Sequence, residues 1–553
     1  MKTTLLSLTI LSIPSLFAAA SDGPTTVWAN LLIGKPGQDQ ATSIVSSGSN
    51  EIYWMLTDGS TTDDKDVTYA GTILYEGASY DGNGGNKNLT LLKTNAAGEK
   101  QWCVYSTWGD FAANDGGLAV TPEGNIIFAE TVRHTDGYLD HPVTIVDATG
   151  KSTEIDWSVE RRWNRMIIGE ISSDGELKWV KTYDVDNSPV PAASGANAEF
   201  TANALTTSGV CVDNEGNIFV CGNFRTDFTF PKADGTSVIL HPRNVTGWSG
   251  DSQAAVGSLF LVKLDKAGYY LSHLEESGED EITASYLQHI EWEDGKLYTY
   301  GYLKGADNKS IKIGDVELTP SEYVSPIVGV IESNMNVDWI KCFPGAAVGG
   351  KNAVQNVGMT VSGGNIWLAG QYNGKISDPE NEDLFVESTQ GNLREGFIIK
   401  LSDSGEWLSS ADSRTDWAQN YLTGYFKVIV PVSDPDNVYV YGYAMNASVG
   451  VFLRCYNKET LEGDVDGSWN IVTKGGTPTC QNIDYVPETA SVYVTVRGNQ
   501  AFLPIGSVET ENPGGFSNLL ARFDLPSGFS TGIGEISAIP NDDVKIVTKK
   551  GEL

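Results

Sequence analysis

The stretch GVCVDNEGNIFVCG at residues 209–222 holds two short apolar segments separated by an acidic turn that contains Gly216. Short runs rich in β-branched and aromatic residues, bounded by turn residues, are typical of β-strands. The second half of the stretch recurs so that seven copies are present, beginning at Asn50, Gly124, Gly216, Gly295, Gly364, Asp436 and Ala490. A turn followed by a strand is therefore the repeating element of this chain.

Three further strand patterns accompany each copy. One lies upstream, such as TSIVSS before the first copy, and one lies downstream and runs into a tight turn, such as LFLVKLDKAGY at residues 259–269. The strand after that turn often carries tryptophan, at Trp102, Trp179, Trp339 and Trp469. Four short strands per unit, repeated seven times, predict an all-β fold: a seven-bladed β-propeller with four-stranded blades. Two or more unrelated β-sandwiches are the alternative, and the matched counts favour the propeller.

The N-terminal segment TTVWANLLIG at residues 25–34 reads as a fourth strand with no unit in front of it. The seventh unit shows the opposite defect, because no Trp-bearing strand follows NLLARFDLPSG at residues 518–528. Pairing these two segments would remove an open sheet edge. We therefore expect the N-terminal strand to close the propeller.

Residues 1–20 combine Lys2, an apolar run and a small-residue end, which is typical of a cleaved secretory signal peptide. No cysteine follows the apolar run, so an N-terminal lipid anchor is not expected. No later stretch reaches the roughly 18 apolar residues of a membrane-spanning helix. The predicted organisation is a signal peptide at residues 1–20, a propeller at residues 21–528 and a C-terminal tail at residues 529–553.

The repeats GNIFVCG…LFLVKLDKAG and GNIWLAG…FIIKLSDSGEW resemble the propeller repeats of secreted bacterial proteins, the SBBP type and its NHL and YVTN relatives. The resemblance spans roughly residues 25 to 528, and its motifs are structural. It implies a propeller fold and an exported location, and it implies no reaction. Beyond residue 528, TGIGEI…DVKIVTKKGEL resembles the opening of a type IX secretion C-terminal sorting domain, whose later strands do not follow.

The charge balance excludes one class of partner. The chain has 37 basic and 71 acidic side chains, a net charge of −34, and it contains no dense Lys/Arg run. A field of this sign repels polyphosphates, so no nucleic-acid partner is expected. The chain is expected to be a monomer that is secreted or held at the cell surface.

Loop length predicts which face of the disc is used. The turns between the first and second strands are tight, whereas the connections between the second and third strands are long, at about residues 58–87, 131–165, 223–257, 302–326 and 371–395. Long connections without secondary structure are usually functional or disordered. Since binding residues are often found on loops held by a rigid scaffold, we expect the ligand on this long-loop face.

Catalytic and metal motifs are sparse. The five histidines, His134, His141, His241, His273 and His289, show no HExxH or HxH spacing. No GxSxG, Walker or Cys–His protease pattern occurs, so no catalytic residue and no metal ligand is predicted. Acidic segments beginning at Asp58, Asp378 and Gly463 leave Ca²⁺ open, but GDVDGSWN at residues 463–470 lacks the EF-hand pattern, and no cofactor is expected.

The six cysteines do not form a disulfide scaffold of the kind found in small secreted proteins. Cys211 and Cys221 flank one turn on adjacent strands and could face each other. Cross-strand bridges are often strained, so two buried thiols are preferred over a disulfide.

Aromatic and basic residues outside the repeat give a candidate ligand site. Two tryptophans, Trp157 and Trp163, stand beside Arg161, Arg162 and Arg165 in one long connection, which is the densest basic spot in the chain. Three more tryptophans, Trp108, Trp248 and Trp417, fall in other connections and are placed around this centre. Indole rings suit stacking on a sugar, and guanidinium groups suit a carboxylate or sulfate. The same residues could instead fold the loop against the disc.

These observations predict an exported binding module for a glycan or a surface protein on the long-loop face. A carbohydrate-active enzyme, either a polysaccharide lyase or a glycoside hydrolase, is the alternative on the same face. A cell-surface adhesion scaffold is the third interpretation. Propeller folds host many functions, so the fold alone does not choose among them.

Overall fold

The computed structural model describes residues 24–33, 40–48, 51–59, 66–76, 87–107, 109–111, 116–133, 143–155, 164–185, 205–243, 257–278, 284–305, 309–350, 352–388, 394–413, 423–432, 434–444, 450–474, 479–507, 509–510 and 517–525. The predicted signal peptide, residues 1–20, and the predicted C-terminal tail, residues 529–553, lie outside these residues. The all-β prediction is confirmed, since the described chain is built of β-strands with a 3-10 turn at Pro487–Thr489. Within the described part, no helix is long and apolar enough to cross a membrane.

The strands are numbered in chain order. The first fourteen are β1 (Thr25–Ile33), β2 (Gln40–Ser47), β3 (Glu51–Gly59), β4 (Asp66–Tyr69), β5 (Thr72–Glu76), β6 (Lys87–Asn95), β7 (Lys100–Thr107), β8 (Asp110–Phe111), β9 (Gly117–Val120), β10 (Ile126–Arg133), β11 (Thr144–Val146), β12 (Ser152–Glu154), β13 (Asn164–Ile171) and β14 (Leu177–Val185). The next fourteen are β15 (Leu205–Val212), β16 (Ile218–Phe224), β17 (Phe228–Pro231), β18 (Ser237–Leu240), β19 (Ser258–Leu264), β20 (Tyr270–His273), β21 (Glu276–Gly278), β22 (Ala284–Glu293), β23 (Lys296–Lys304), β24 (Ile311–Ile313), β25 (Val316–Leu318), β26 (Ser325–Glu332), β27 (Val337–Cys342) and β28 (Gly345–Ala346). The last fourteen are β29 (Ala353–Ser362), β30 (Asn365–Asn373), β31 (Lys375–Ser377), β32 (Phe385–Glu387), β33 (Glu395–Ser402), β34 (Trp407–Asp412), β35 (Thr423–Ile429), β36 (Asn437–Ala444), β37 (Gly450–Asn457), β38 (Gly463–Lys474), β39 (Thr479–Val486), β40 (Ser491–Gly498), β41 (Phe502–Pro504) and β42 (Ser517–Asp524).

The principal strands pair antiparallel in groups of four, here called units 1 to 7. In order from first to fourth strand these are β2-β3-β6-β7, β9-β10-β13-β14, β15-β16-β19-β20, β22-β23-β26-β27, β29-β30-β33-β34, β35-β36-β37-β38 and β39-β40-β42-β1. Unit 7 draws its fourth strand from the N-terminus. The register of β1 on β42 runs from Thr25 opposite Asp524 to Leu32 opposite Asn518, which is the pairing that the sequence predicts.

The first strands of successive units contact one another in order, and the first strand of unit 7 contacts that of unit 1. Hydrogen bonds join neighbouring first strands. The Leu118 backbone N–H donates to Ser43 Oγ at 3.2 Å, and the Asn482 side-chain amide donates to the Thr42 carbonyl at 2.6 Å. The seven first strands therefore surround one common space.

The long connections between second and third strands are in part β-hairpins, which the sequence analysis did not anticipate. Each described hairpin pairs with the outer side of the preceding unit: β4-β5 of unit 1 on β1, β11-β12 of unit 2 on β7, β17-β18 of unit 3 on β14, β24-β25 of unit 4 on β21, and β31-β32 of unit 5 on β28. Strand β41 of unit 7 pairs with β38 of unit 6 in the same manner. These clasps cover backbone edges that would otherwise be open for pairing.

Four tryptophans of the fourth strands, Trp28, Trp102, Trp179 and Trp339, pack over the tight turns of the next unit. A Cβ added at Gly98 would lie 2.5 Å from the Trp28 ring, and one at Gly175 would lie 2.9 Å from the Trp102 ring. Both glycines also have positive φ, at 77° and 89°, which L-residues rarely adopt. The Trp28 and Trp102 indole N–H groups also donate to these turns, to the Ala96 carbonyl and the Ser173 carbonyl at 2.9 Å each. This contact explains why glycine recurs in these turns.

Cys211 and Cys221 are free thiols in the structure, as the sequence analysis preferred. Burial raises the pKa of both thiols, because a thiolate would lose its hydration. They belong to the apolar core between units 3 and 4.

Candidate functional site

Most residues of the predicted loop site lie outside the described part of the chain: Trp108, Trp157, Arg161, Arg162, Trp163, Trp248 and Trp417. Arg165 is described, on strand β13. Its side chain is only 3% exposed, and its Nε lies 3.2 Å from Asp184 Oδ1 on β14. Arg165 is thus a buried strand residue of unit 2 and forms an ion pair with the neighbouring strand.

The described histidines do not converge on a metal-binding arrangement. His134 and His141 lie outside the described residues. His241 is exposed, with Nδ1 2.8 Å from Asp227 Oδ1. Over the described ranges, no group of three or more His, Cys, Asp or Glu side chains could hold a metal ion. The Asp378 carboxylate accepts backbone hydrogen bonds within its own turn, from Glu380 and Asn381 at 2.8 Å each.

A cavity occupies the space that the first strands surround, here called the axial channel. Its volume is about 850 Å³, and residues from the first strands of all seven units line it. This volume falls within the range of about 300 to 1,000 Å³ that is usual for small-molecule sites. The channel is therefore large enough to hold a ligand.

Two carboxylates reach this channel from equivalent positions of the repeat. Glu291 on β22 pairs with Tyr298, and Asp484 on β39 pairs with Tyr493. Each tyrosine directly follows the first apolar residue of its repeat motif, so the two acids lie at the same depth. Units 4 and 7 are three steps apart in the order of contacts, which puts the acids on different walls of the channel.

Opposing effects act on the pKa of the Asp484 carboxylate. The carboxylate borders the channel yet is closely surrounded by protein, and this burial raises its pKa. The positive charge of Lys427 and a hydrogen bond from Ser46 act in the opposite direction. Its Oδ2 atom has no hydrogen-bond partner among the described residues.

The opposite wall, in unit 4, also presents polar atoms that its neighbours do not satisfy. Glu291 Oε1 accepts from the Val361 backbone N–H at 3.4 Å, whereas Oε2 has no hydrogen-bond partner in the described structure and lies 3.9 Å from His289 Nε2. Gln288 Oε1 and Trp292 Nε1 likewise find no partner there. The Trp292 ring stacks on Phe219 at 5.6 Å between centroids.

Sequence reasoning missed this site, although a signal for it was present. The first strand of unit 4 reads ASYLQHIEWE, and its Gln, His and Glu interrupt a segment that should be apolar if it only packed against neighbours. The first strand of unit 7, TCQNIDYV, carries Asn and Asp in the same manner. Polar residues inside a buried strand need partners, so they mark a cavity or a network.

Comparisons with known proteins give loose structural likenesses. No protein-family profile matches the chain, and no curated protein matches it. A protein of unknown function from Dyadobacter fermentans DSM 18053 is similar with TM-score 0.39 and 10% identity, over 75% of this chain and 95% of that one. A streptogramin B lyase is similar with TM-score 0.29 and 12% identity, over 76% and 98%. The neuraminidase-like N11 protein of A/flat-faced bat/Peru/033/2010 (H18N11) has TM-score 0.32 and 11% identity, over 75% and 88%. Likenesses at this level transfer no function.

Proposed function

We propose that this chain is an exported seven-bladed β-propeller that binds a ligand in its axial channel. Each unit would be one blade, and β1 would complete the seventh blade and close the ring. The pairing of β1 with β42 and the cyclic order of contacts between first strands support this arrangement. Export rests on the signal-peptide pattern of residues 1–20.

One observation carries the binding function. Three acceptor atoms on channel-lining residues, Gln288 Oε1, Glu291 Oε2 and Asp484 Oδ2, have no hydrogen-bond partner among the described residues. Buried acceptors without partners cost free energy, and native proteins satisfy the great majority of them. A ligand rich in hydroxyl or amine donors would satisfy all three once their side chains turn toward the channel, and glycans and polar protein segments both supply such donors.

The test is a binding screen with the mature chain, residues 21–553, on immobilised glycans and surface-protein extracts. The double change Gln288→Ala, Glu291→Ala should weaken binding by about tenfold or more, because hydrogen bonds to charged groups contribute about 1.5–3 kcal/mol. Glu123→Ala, an exposed acid on the turn of unit 2, is the matched control and should leave affinity unchanged.

The alternative to binding in the channel is binding at the loop site that the sequence predicts. If Trp157→Ala, Trp163→Ala abolishes binding while the channel variant binds normally, the site lies on the long-loop face and the channel assignment is wrong. Two channel carboxylates also keep the carbohydrate-active enzyme as the second candidate. Product release in the same samples, lost on Glu291→Gln, would establish that function instead.

A further inference from the structure

The first strands share an irregularity at one depth. A β-bulge interrupts the register in six of the seven described first strands, between Ala41 and Ser43, Thr207 and Gly209, Leu287 and His289, Gln355 and Gly358, Tyr425 and Lys427, and Cys480 and Asn482. A bulge inserts an extra residue and redirects its side chain, and bulges are frequent beside functional sites. Repetition at equivalent positions indicates a common purpose.

Five residues within these bulges line the channel, and they are here called the bulge collar: Thr42, Ser208, Gln288, Val357 and Phe426. The collar lies toward the beginnings of the first strands, at the end from which the long connections between second and third strands depart. A ligand that enters from this end therefore meets the collar before it reaches Glu291 and Asp484.

The collar is polar on one side and apolar on the other. Thr42, Ser208 and Gln288 come from units 1, 3 and 4, whereas Val357 and Phe426 come from the adjacent units 5 and 6. Ser208 Oγ is 2.5 Å from Tyr286 Oη, and Gln288 Oε1 has no partner among the described residues. Phe426 is half-buried and packs against Tyr443 at 5.6 Å between centroids.

The apolar side of the collar is where units 5 and 6 approach each other closely. The backbone of Phe426 approaches unit 5 so closely that a Cβ added at Gly358 would lie 1.9 Å from the Phe426 carbonyl oxygen. Only glycine permits this approach. The bulge of unit 6 is therefore pressed against its neighbour, which fixes the Phe426 backbone at the channel wall.

We infer that the bulge collar is a subsite for one pyranose ring. A pyranose presents an apolar face of C–H groups, which suits Phe426 and Val357, and an edge of hydroxyl groups, which suits Thr42, Ser208 and Gln288. This inference rests on the proposed binding function and adds the class of ligand. An acyclic polyol has the same hydroxyl groups without the rigid apolar face, and it gains little from the aromatic side.

The test compares ring and open-chain forms of the same sugars. Methyl glucoside, methyl mannoside, methyl galactoside and methyl N-acetylglucosaminide are titrated into the mature chain beside glucitol, mannitol and galactitol. Saturation-transfer NMR reports which ligand protons approach the protein. At least one pyranoside should bind, with strong transfer to its C–H face, and its alditol should bind about tenfold or more weakly.

Variants separate the two levels of the proposal. Phe426→Leu, which keeps an apolar side chain, should weaken pyranoside binding by about tenfold, and Phe426→Tyr should retain it, with melting temperature checked for both. If pyranosides bind and Glu291→Ala weakens them, but Phe426→Leu does not, the collar inference is wrong and the channel function stands. Equal binding of a pyranoside and its alditol also overturns the inference, as does binding of hydroxyl-rich peptides alone. If neither Phe426→Leu nor Glu291→Ala weakens binding, both the collar inference and the proposed channel function are wrong.

Discussion

Asp484 carries a carboxylate where burial opposes its charge. The main effect is loss of hydration, which raises the pKa, and the nearby Lys427 charge and the Ser46 hydrogen bond only partly compensate. An unfolded chain would hydrate this carboxylate freely. The folded state therefore binds its proton more tightly than the unfolded state does, and this residue links stability to pH.

This linkage predicts how Asp484 affects the stability of the protein as the pH changes. Because the folded pKa is above the ordinary value of 3.8, the contribution of Asp484 to stability falls as pH rises from 3.8 through the folded pKa. Asp484→Asn removes the charge and should raise the melting temperature at neutral pH, with the difference vanishing below pH 3.8. Thermal unfolding across pH checks this, with the exposed Asp383→Asn as control. A lower melting temperature at neutral pH would mean that Lys427 outweighs desolvation.

At the scale of single elements, the clasps connect neighbouring units. The clasp β17-β18 of unit 3 lies on β14 of unit 2, and its Phe228 and Phe230 are completely buried. Phe230 packs against Tyr183 at 5.5 Å, and Phe228 packs against Phe260 at 5.3 Å, so this clasp joins the cores of two units. Deleting such contacts should loosen the seam between units.

A substitution within this clasp tests its contribution. Phe228→Ala should destabilise the protein by about 3–5 kcal/mol, the usual cost of removing a buried phenylalanine. Ile239→Ala on the same clasp is the matched control, since Ile239 is 49% exposed, and its effect should stay within about 0.5 kcal/mol. Denaturant unfolding measures both. Equal small effects would show that the clasp does not stabilise the seam.

At the scale of the whole molecule, β1 joins the two ends of the chain. Trp28 packs against Trp54 of unit 1 and Tyr493 of unit 7, at 6.0 and 6.3 Å between ring centroids. Arg522 on β42 donates to the Ala96 carbonyl at 3.0 Å, the same acceptor that Trp28 uses. Units 7 and 1 therefore meet through one shared turn.

Removing residues 21–34 should lower the melting temperature sharply, because it leaves one edge of β42 unpaired and removes the partly buried Trp28 from the contact between units 7 and 1. A milder test is Gly98→Ala, whose Cβ would lie 2.5 Å from the Trp28 ring. Gly48→Ala is its control, since Gly48 also has positive φ, 63° against 77°, but nothing within 4 Å. Gly98→Ala should cost about 1–3 kcal/mol more. An unchanged melting temperature after deletion would refute closure by β1.

Periodicity and counting in the sequence predicted the strands, the tight glycine turns, the tryptophans on fourth strands and the partner of residues 25–34. These features are local, because alternation of apolar residues and turn chemistry act within a few residues. The N-terminal strand could be matched to the last unit because that unit was the one without a fourth strand of its own. Local sequence patterns were therefore sufficient to predict the strands, their turns and the partner of the N-terminal strand.

Only the tertiary structure decided the clasps, the channel that Glu291 and Asp484 share, and the bulge collar. Arg165 illustrates the difference: its sequence neighbours suggested an exposed basic loop, whereas strand pairing buries it beside Asp184. Glu291 and Asp484 share a channel because contacts among the first strands bring β22 and β39 to one space, and no short sequence pattern records that. Which edge a hairpin joins, and which side chains a bulge redirects, depends on contacts between distant segments, and those contacts exist only once the chain has folded.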